Sequence, residues 1–197
     1  QYKRNTLFLN RGDGTYAEIA QLSGLDATEW SWMPAFLDVD LDGFEDVLVT
    51  TGHVLDSLNA DAVGEILRQR RMRKLSDAEQ RALKKKYYPT LRLPNQAFRN
   101  RGDLTFQDKA REWGFDYVGI SQGLCLADLD NDGDLDVVVN HLNDAAGIYR
   151  NETIAPRVAV RLKGRAPNTQ GIGAKIKFLG GPVPQSQEMM SGGRYLS

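Results

Sequence analysis

Asp38-Val39-Asp40-Leu41-Asp42-Gly43-Phe44-Glu45-Asp46 returns ninety residues later as Asp128-Leu129-Asp130-Asn131-Asp132-Gly133-Asp134-Leu135-Asp136. Each stretch places aspartates at positions 1, 3, 5 and 9 and glycine at position 6. Calcium is a hard cation that takes six to eight oxygen ligands at roughly 2.3–2.6 Å. Carboxylates at alternate positions of a tight loop can converge on such an ion while the residues between them face outward. The glycine permits the positive φ of a sharp turn. Asp38, Asp40, Asp42 and Asp46 are therefore candidate ligands of one Ca2+, and Asp128, Asp130, Asp132 and Asp136 of a second. Position 7, Phe44 or Asp134, would add its backbone carbonyl. Read instead as plain surface turns, these loops would set four like charges against one another, at about 1 kcal/mol per close pair in water and about 4 at an effective dielectric of 20. An EF-hand is excluded, because it needs a bidentate Glu at position 12 and flanking helices. Position 12 is Val49 or Val139, and the flanks Ala35-Phe36-Leu37 and Val47-Leu48-Val49-Thr50 are strand-like.

The loops belong to a longer repeat, the feature to seek first in any chain. Asn5–Val49 aligns without a gap with Asn95–Val139, and 18 of the 45 positions are identical. The shared frame is Asn-x-x-Phe-x-Asn-Arg-Gly-Asp-x-Thr, then Ala20/Ala110, Gly24/Gly114, Asp26/Asp116, Ser31/Ser121 and the acidic loop. Short strands are expected at 6–10 and 96–100, at 15–19 and 105–109, at 33–37 and 123–127, and at 46–51 and 136–140. Arg11-Gly12-Asp13-Gly14 and Arg101-Gly102-Asp103 form the turns between the first two. Four short strands per repeat are the content of one propeller blade.

These phrases carry a resemblance. The chain resembles the FG-GAP/VCBS-type repeat proteins, whose blades carry a D-x-D-x-D-G-x-x-D calcium loop, as in the integrin α-subunit propeller. The phrase from Asn5 to Tyr16 is similar to the variant found in the cartilage acidic protein family and its bacterial relatives. The resemblance implies an all-β fold of four-stranded antiparallel blades forming part of a propeller. It also implies that the acidic loop joins the first and second strands of a blade. One blade would then run from about Trp32 to Arg111 and another begin near Gln122. The remaining blades would lie in a longer parent chain.

Residues 53–94 interrupt the first blade with two expected helices, Asn59–Arg73 and Asp77–Tyr87. Ser76-Asp77-Ala78-Glu79 is a capping box, and Pro89 and Pro94 end the helical part. Beyond Pro156 the repeat stops. Val158, Val160 and Leu162 alternate with polar or small residues and are expected to form a strand. Gly171–Leu179 alternates likewise, and Gly180-Gly181-Pro182 is its turn. Asn168-Thr169-Gln170-Gly171-Ile172-Gly173-Ala174-Lys175-Ile176 and Ser191-Gly192-Gly193-Arg194-Tyr195-Leu196-Ser197 resemble the ASPIC/UnbV domain. The expected organisation is propeller repeats over 1–155, with the insertion at 53–94, and a small truncated β-domain over 156–197.

Composition narrows the function. The chain of 197 residues is 41% hydrophobic with a net charge of −1, which fits a folded protein of one or two domains. No run of 18 apolar residues is present, so no membrane span is expected. Residues 68–86 hold nine Lys/Arg and two acids, a basic insertion in an acidic body. No aromatic stacking array or nucleic-acid motif accompanies that charge, so it is read as a solvated helical face rather than a nucleic-acid surface. The single Cys125 forms no internal disulfide and reads as a small buried residue. Gly119-Ile120-Ser121-Gln122-Gly123 matches a nucleophile elbow, but a strand follows where that motif needs a helix. His53 and His141 lack a second ligand at metal spacing, and Asn151-Glu152-Thr153 spells a glycosylation acceptor. The chain thus reads as a non-enzymatic, calcium-binding interaction module for a protein or glycan partner, extracellular or periplasmic. The alternative is a carbohydrate-binding or accessory propeller of a larger secreted enzyme.

Overall fold

A computed structural model describes residues 4–181 and 183–191. The hairpin of β1 (Phe8–Asn10) and β2 (Tyr16–Glu18) comes first, followed by the short helix α1 (Ala20–Ser23). Next, β3 (Ser31–Leu37) and β4 (Asp46–Thr51) pair antiparallel across the first acidic loop. The sheet continues through β6 (Gln96–Asn100) and β7 (Phe106–Asp108) in the order β3-β4-β6-β7, one four-stranded blade. In the second blade, β9 (Ser121–Ala127) and β10 (Asp136–His141) flank the second acidic loop, and β11 (Gly147–Tyr149) pairs with β10.

Period-two alternation explains both faces of the first blade, because successive side chains of a strand point to opposite sides. Met33, Ala35, Leu37, Leu48 and Ala97 pack on Leu124, Val137 and Val139 of the second blade, with Ala110 and Phe115 of the connection. Val47, Val49 and Phe98 face the other way, onto Leu25 and Leu7. Full burial of such side chains contributes roughly 1.5–3 kcal/mol each, so the first blade is clamped on both sides. The second blade is covered on one side. Its outward row Cys125, Val138 and Ile148 leaves Ile148 69% exposed. The expectation that Cys125 is buried is therefore corrected: the thiol is exposed. Its counterpart Ala35 faces a neighbouring blade, whereas Cys125 faces none among the described residues.

The insertion leaves the sheet at the end of β4 remote from the acidic loop. A bridge between His53 and Leu91 closes its neck, and β5 (Leu93–Pro94) pairs with β8 (Val118–Gly119). Its helices are α2 (Ala60–Met72) and α3 (Asp77–Tyr87). The Asn59 side chain caps α2 by accepting from the Ala62 amide at 3.0 Å. The capping box of α3 forms in full, with Ser76 Oγ accepting from the Glu79 amide and Glu79 Oε2 from the Ser76 amide. Ala62 and Ile66 of α2 are buried, whereas α3 buries none of its residues. Among the described residues no helix is long and apolar enough to cross a membrane.

The C-terminal part differs from expectation. No strand forms over 158–162, and Val158 and Val160 stay 67% and 56% exposed. Alternation supplies a face, but among the described residues no strand pairs with it. The strand expected at 171–179 shortens to β12 (Lys175–Phe178), which pairs with β13 (Gln185–Glu188). Pro182 of the expected turn and residues 192–197 of the C-terminal phrase lie outside the described residues. The chain around β13 reaches back to the first acidic loop. A Cβ on Gly43 would stand 2.5 Å from Val183 Cγ2.

Candidate metal centre

Each acidic loop is shaped by its own backbone amides. Asp38 accepts from the amides of Asp42 (3.0 Å) and Gly43 (2.9 Å), and Asp42 accepts from the Phe44 amide at 2.9 Å. Asp128 and Asp132 repeat this with Asp132, Gly133 and Asp134. The chain takes positive φ at position 4 (Leu41, 55°; Asn131, 61°) and at position 6 (Gly43, 98°; Gly133, 95°). Glycine at position 6 was legible in the sequence. The left-handed Leu41, uncommon for a branched apolar residue, was not.

The ninth-position aspartates are buried pins. Asp46 accepts from the Val39 amide at 2.9 Å and the Asn100 amide at 2.8 Å, and is 0% exposed. Asp136 does the same with Leu129 and Asn151, both at 2.8 Å. Burial pushes the Asp46 carboxyl up to about 7, against the opposing pull of its two amide bonds. A cation beside it would favour the ionised form. Burial likewise raises Asp38, helped by the charges of Asp42 and Asp40.

The structure brings together Asp38, Asp40 and Asp42 in the first loop, one oxygen of each lying within 4.8 Å of the others. In the second loop the converging set is Asp128, Asp130 and Asp136. Asp46 and Asp132 stand outside these trios. Phe44 turns its ring onto the neighbouring turn, where a Cβ on Gly102 would meet Cζ at 2.8 Å. Asp134 buries its carboxylate, whose Oδ2 accepts from Arg157 Nη1 at 2.6 Å. That side-chain role was not expected, since the sequence pointed only to its backbone carbonyl. Burial raises the Asp134 carboxyl, and the neighbouring Asp132 adds to the rise.

Sequence reasoning also missed three arginines. Arg99 donates from Nε to Asp40 Oδ2 at 2.5 Å and from Nη2 to Asp42 Oδ2 at 2.6 Å. Arg150 Nε lies 2.7 Å from Asp130 Oδ2. Arg157 holds Asp134 and the Thr153 carbonyl. A signal was available, because Phe98-Arg99-Asn100 returns as Tyr149-Arg150-Asn151, carrying the same arginine and the same pinning amide.

An all-oxygen donor set suits a hard cation. One oxygen of the first trio, Asp40 Oδ1, is buried without a hydrogen-bond partner, and a buried acceptor of this kind is costly unless a donor or cation meets it. The residues present therefore fit calcium in both loops.

The other sequence motifs find local roles. Ser121 is fully buried on β9, sharing a 2.9 Å hydrogen bond with His141 Nδ1. His141 stacks on Tyr117 with centroids 3.8 Å apart, and burial lowers its pKa. His53 stacks with Trp32 and lies against Trp30. Asp13 and Asp103 of the Arg-Gly-Asp turns accept from Thr15 and Thr105 within the same turns. Asn151 of the glycosylation sequence donates from Nδ2 to the Val39 carbonyl at 2.9 Å, so that nitrogen is engaged in the fold.

A family model described as FG-GAP-like repeat matches residues 1–49 and 90–139. Those two segments are the stretches that carry each hairpin and each acidic loop. A search of curated proteins finds no match.

Proposed function

This chain belongs to the FG-GAP-like repeat family, and from that premise we propose that it is a calcium-stabilised, non-enzymatic interaction module of the extracellular or periplasmic space. FG-GAP-like repeats are typically extracellular interaction modules. The observation that carries the calcium reading is the convergence of three carboxylates in each of two loops of the same design. Asp38, Asp40 and Asp42 would hold one ion, with Asp46 buried beside them. Asp128, Asp130 and Asp136 would hold the other. The ion would supply charge neutralisation and rigidity to a loop that joins the first two strands of a blade.

Magnitudes favour export. Extracellular calcium modules bind at about 10⁻⁴–10⁻³ M. With free calcium about tenfold above that, each site stabilises the fold by about 1.4 kcal/mol. The same sites contribute almost nothing in a cytosol poor in calcium.

The partner would be a protein or a glycan. The basic hairpin α2–α3 is the partner-facing element in this reading, because it leaves the sheet at the end opposite the acidic loop and α3 buries no residue. We assign residues 156–197 to an ASPIC/UnbV-like domain on the phrase Asn168–Ile176, and the whole chain to the neighbourhood of the cartilage acidic protein family on the phrase Asn5–Tyr16.

Calorimetry on metal-stripped protein tests the calcium reading. Wild type is expected to take up about two calcium ions. The double variant Asp40→Ala/Asp130→Ala, which removes one member of each trio, is expected to take up none. Full binding by the double variant would sink the assignment.

A further inference from the structure

We propose that Arg99 and Arg150 set the calcium affinity of their loops: each neutralises carboxylates of its loop and competes with the ion for them. The proposal rests on the calcium reading above. Its first support is recurrence. Each arginine immediately precedes the asparagine whose amide pins the ninth-position aspartate, Asn100 on Asp46 and Asn151 on Asp136. Each contacts the third-position aspartate, Asp40 or Asp130. Two loops of one chain thus carry the same cation at the same place.

The second support is chemistry. A guanidinium is a planar fork that suits carboxylate oxygens and is always charged. Arg99 uses that fork to bridge Asp40 and Asp42, two of the three carboxylates that converge in its loop. The bridge relieves the repulsion among neighbouring aspartates that a metal-free loop would otherwise carry. When calcium arrives, the guanidinium opposes it twice. Its positive charge repels the ion, and its hydrogen bonds draw on the same carboxylates, Asp40 and Asp42.

A buttressing role would have the opposite sign: removing the arginine would let the loop collapse and weaken calcium binding. The backbone argues against it. Asp38, Asp42 and Asp46 are held by the amides of Asp42, Gly43, Phe44, Val39 and Asn100. The loop keeps its shape without the guanidinium. The two loops should also differ in degree. Arg99 grips two carboxylates and its side chain is 35% exposed, whereas Arg150 grips one and is 62% exposed.

The test compares the full chain with Arg99→Gln, Arg99→Lys and Arg150→Gln. Calcium chloride is titrated by calorimetry, and thermal melting is followed in EDTA. Arg99→Gln is expected to tighten one of the two calcium sites about tenfold, the scale of removing one nearby charge at partial exposure. It is also expected to lower the metal-free melting temperature. Arg99→Lys keeps the charge and should stay near wild type in both. Arg150→Gln should tighten the other site by a smaller factor. Unchanged or weaker calcium binding in Arg99→Gln, or an unchanged metal-free melt, overturns the proposal while leaving the calcium sites standing. A wild-type chain that takes up no calcium overturns the calcium reading itself, and the affinity role with it.

Discussion

The first acidic loop is half-buried and the second lies open, although both have aspartate at positions 1, 3, 5 and 9 and glycine at position 6. In the first, Val183 stands over Gly43, Phe44 covers Gly102, and Arg99 bridges Asp40 and Asp42. In the second, Asp128, Asp130 and Asp132 are exposed, and the seventh position sinks a carboxylate against Arg157. The amide bonds within the loops are nonetheless the same, bond for bond. The comparison separates two layers of design. Loop shape is local and follows from nine residues. Exposure and counter-charge come from distant parts of the chain, and these decide how strongly a loop of that shape holds an ion. Asn151 ties the layers together, because its amide pins Asp136 while its side chain bonds the carbonyl of Val39 in the other loop.

The largest expected effect tests what the loops share. Asp46→Ala and Asp136→Ala each leave two part-buried amides without an acceptor, at roughly 1–3 kcal/mol per group. Each is expected to destabilise the metal-free chain by about 4 kcal/mol in urea unfolding. The two costs should be similar, because Asp46 and Asp136 are almost equally buried, at 0% and 1% exposure. A loss under about 1 kcal/mol at either would show that the ninth position is not a structural pin.

A smaller effect should split the loops. Alanine at either position-6 glycine is strained by its positive φ, at about 1–2 kcal/mol. A Cβ on Gly43 would also collide with Val183 Cγ2 at 2.5 Å, whereas one on Gly133 would meet Arg157 Nε at an ordinary 3.4 Å. Gly43→Ala is therefore expected to cost about 3 kcal/mol, with overpacking added, and Gly133→Ala about 1 kcal/mol. Equal costs would remove Val183 from the account of the first loop.

The smallest expected effect concerns the insertion. Strand β4 separates it from the first acidic loop by one strand length, about 17–20 Å for a strand of typical length. Replacing residues 55–92 by a short Gly/Ser linker should change calcium affinity less than threefold while removing any salt-sensitive partner binding. A tenfold loss of calcium affinity, with the fold intact by circular dichroism, would place the helices back over the ion site.

Residue spacing made much of this legible. The blade strands, both acidic loops, the helix pair and the Ser76 capping box all rest on patterns shorter than about fifteen residues. What escaped depended on long-range placement. Arg99 meets Asp40 and Arg157 meets Asp134 across long separations in the chain, and nothing within the acidic loops names those partners. Asp134 looked like a position that lends its carbonyl, but its carboxylate is buried against the half-buried Arg157. Val158 to Leu162 shows the converse failure, since its alternation suits a strand but no strand pairs with it among the described residues. Cys125 reads in the sequence as a small buried residue and its repeat counterpart Ala35 is buried, but Cys125 lies where the row of blades ends among the described residues and is exposed.

Following the amides of Gly43 and Gly133 separately by NMR during a calcium titration tests the central claim most directly. Both amides bond a first-position aspartate, Asp38 or Asp128, so each reports its own ion. The account predicts that both resonances move and saturate. Gly133 should saturate first, because Arg150 engages one carboxylate of its trio, Asp130, whereas Arg99 engages two, Asp40 and Asp42. A Gly43 or Gly133 resonance that stays unmoved at saturating calcium would contradict the claim that each loop is a calcium site.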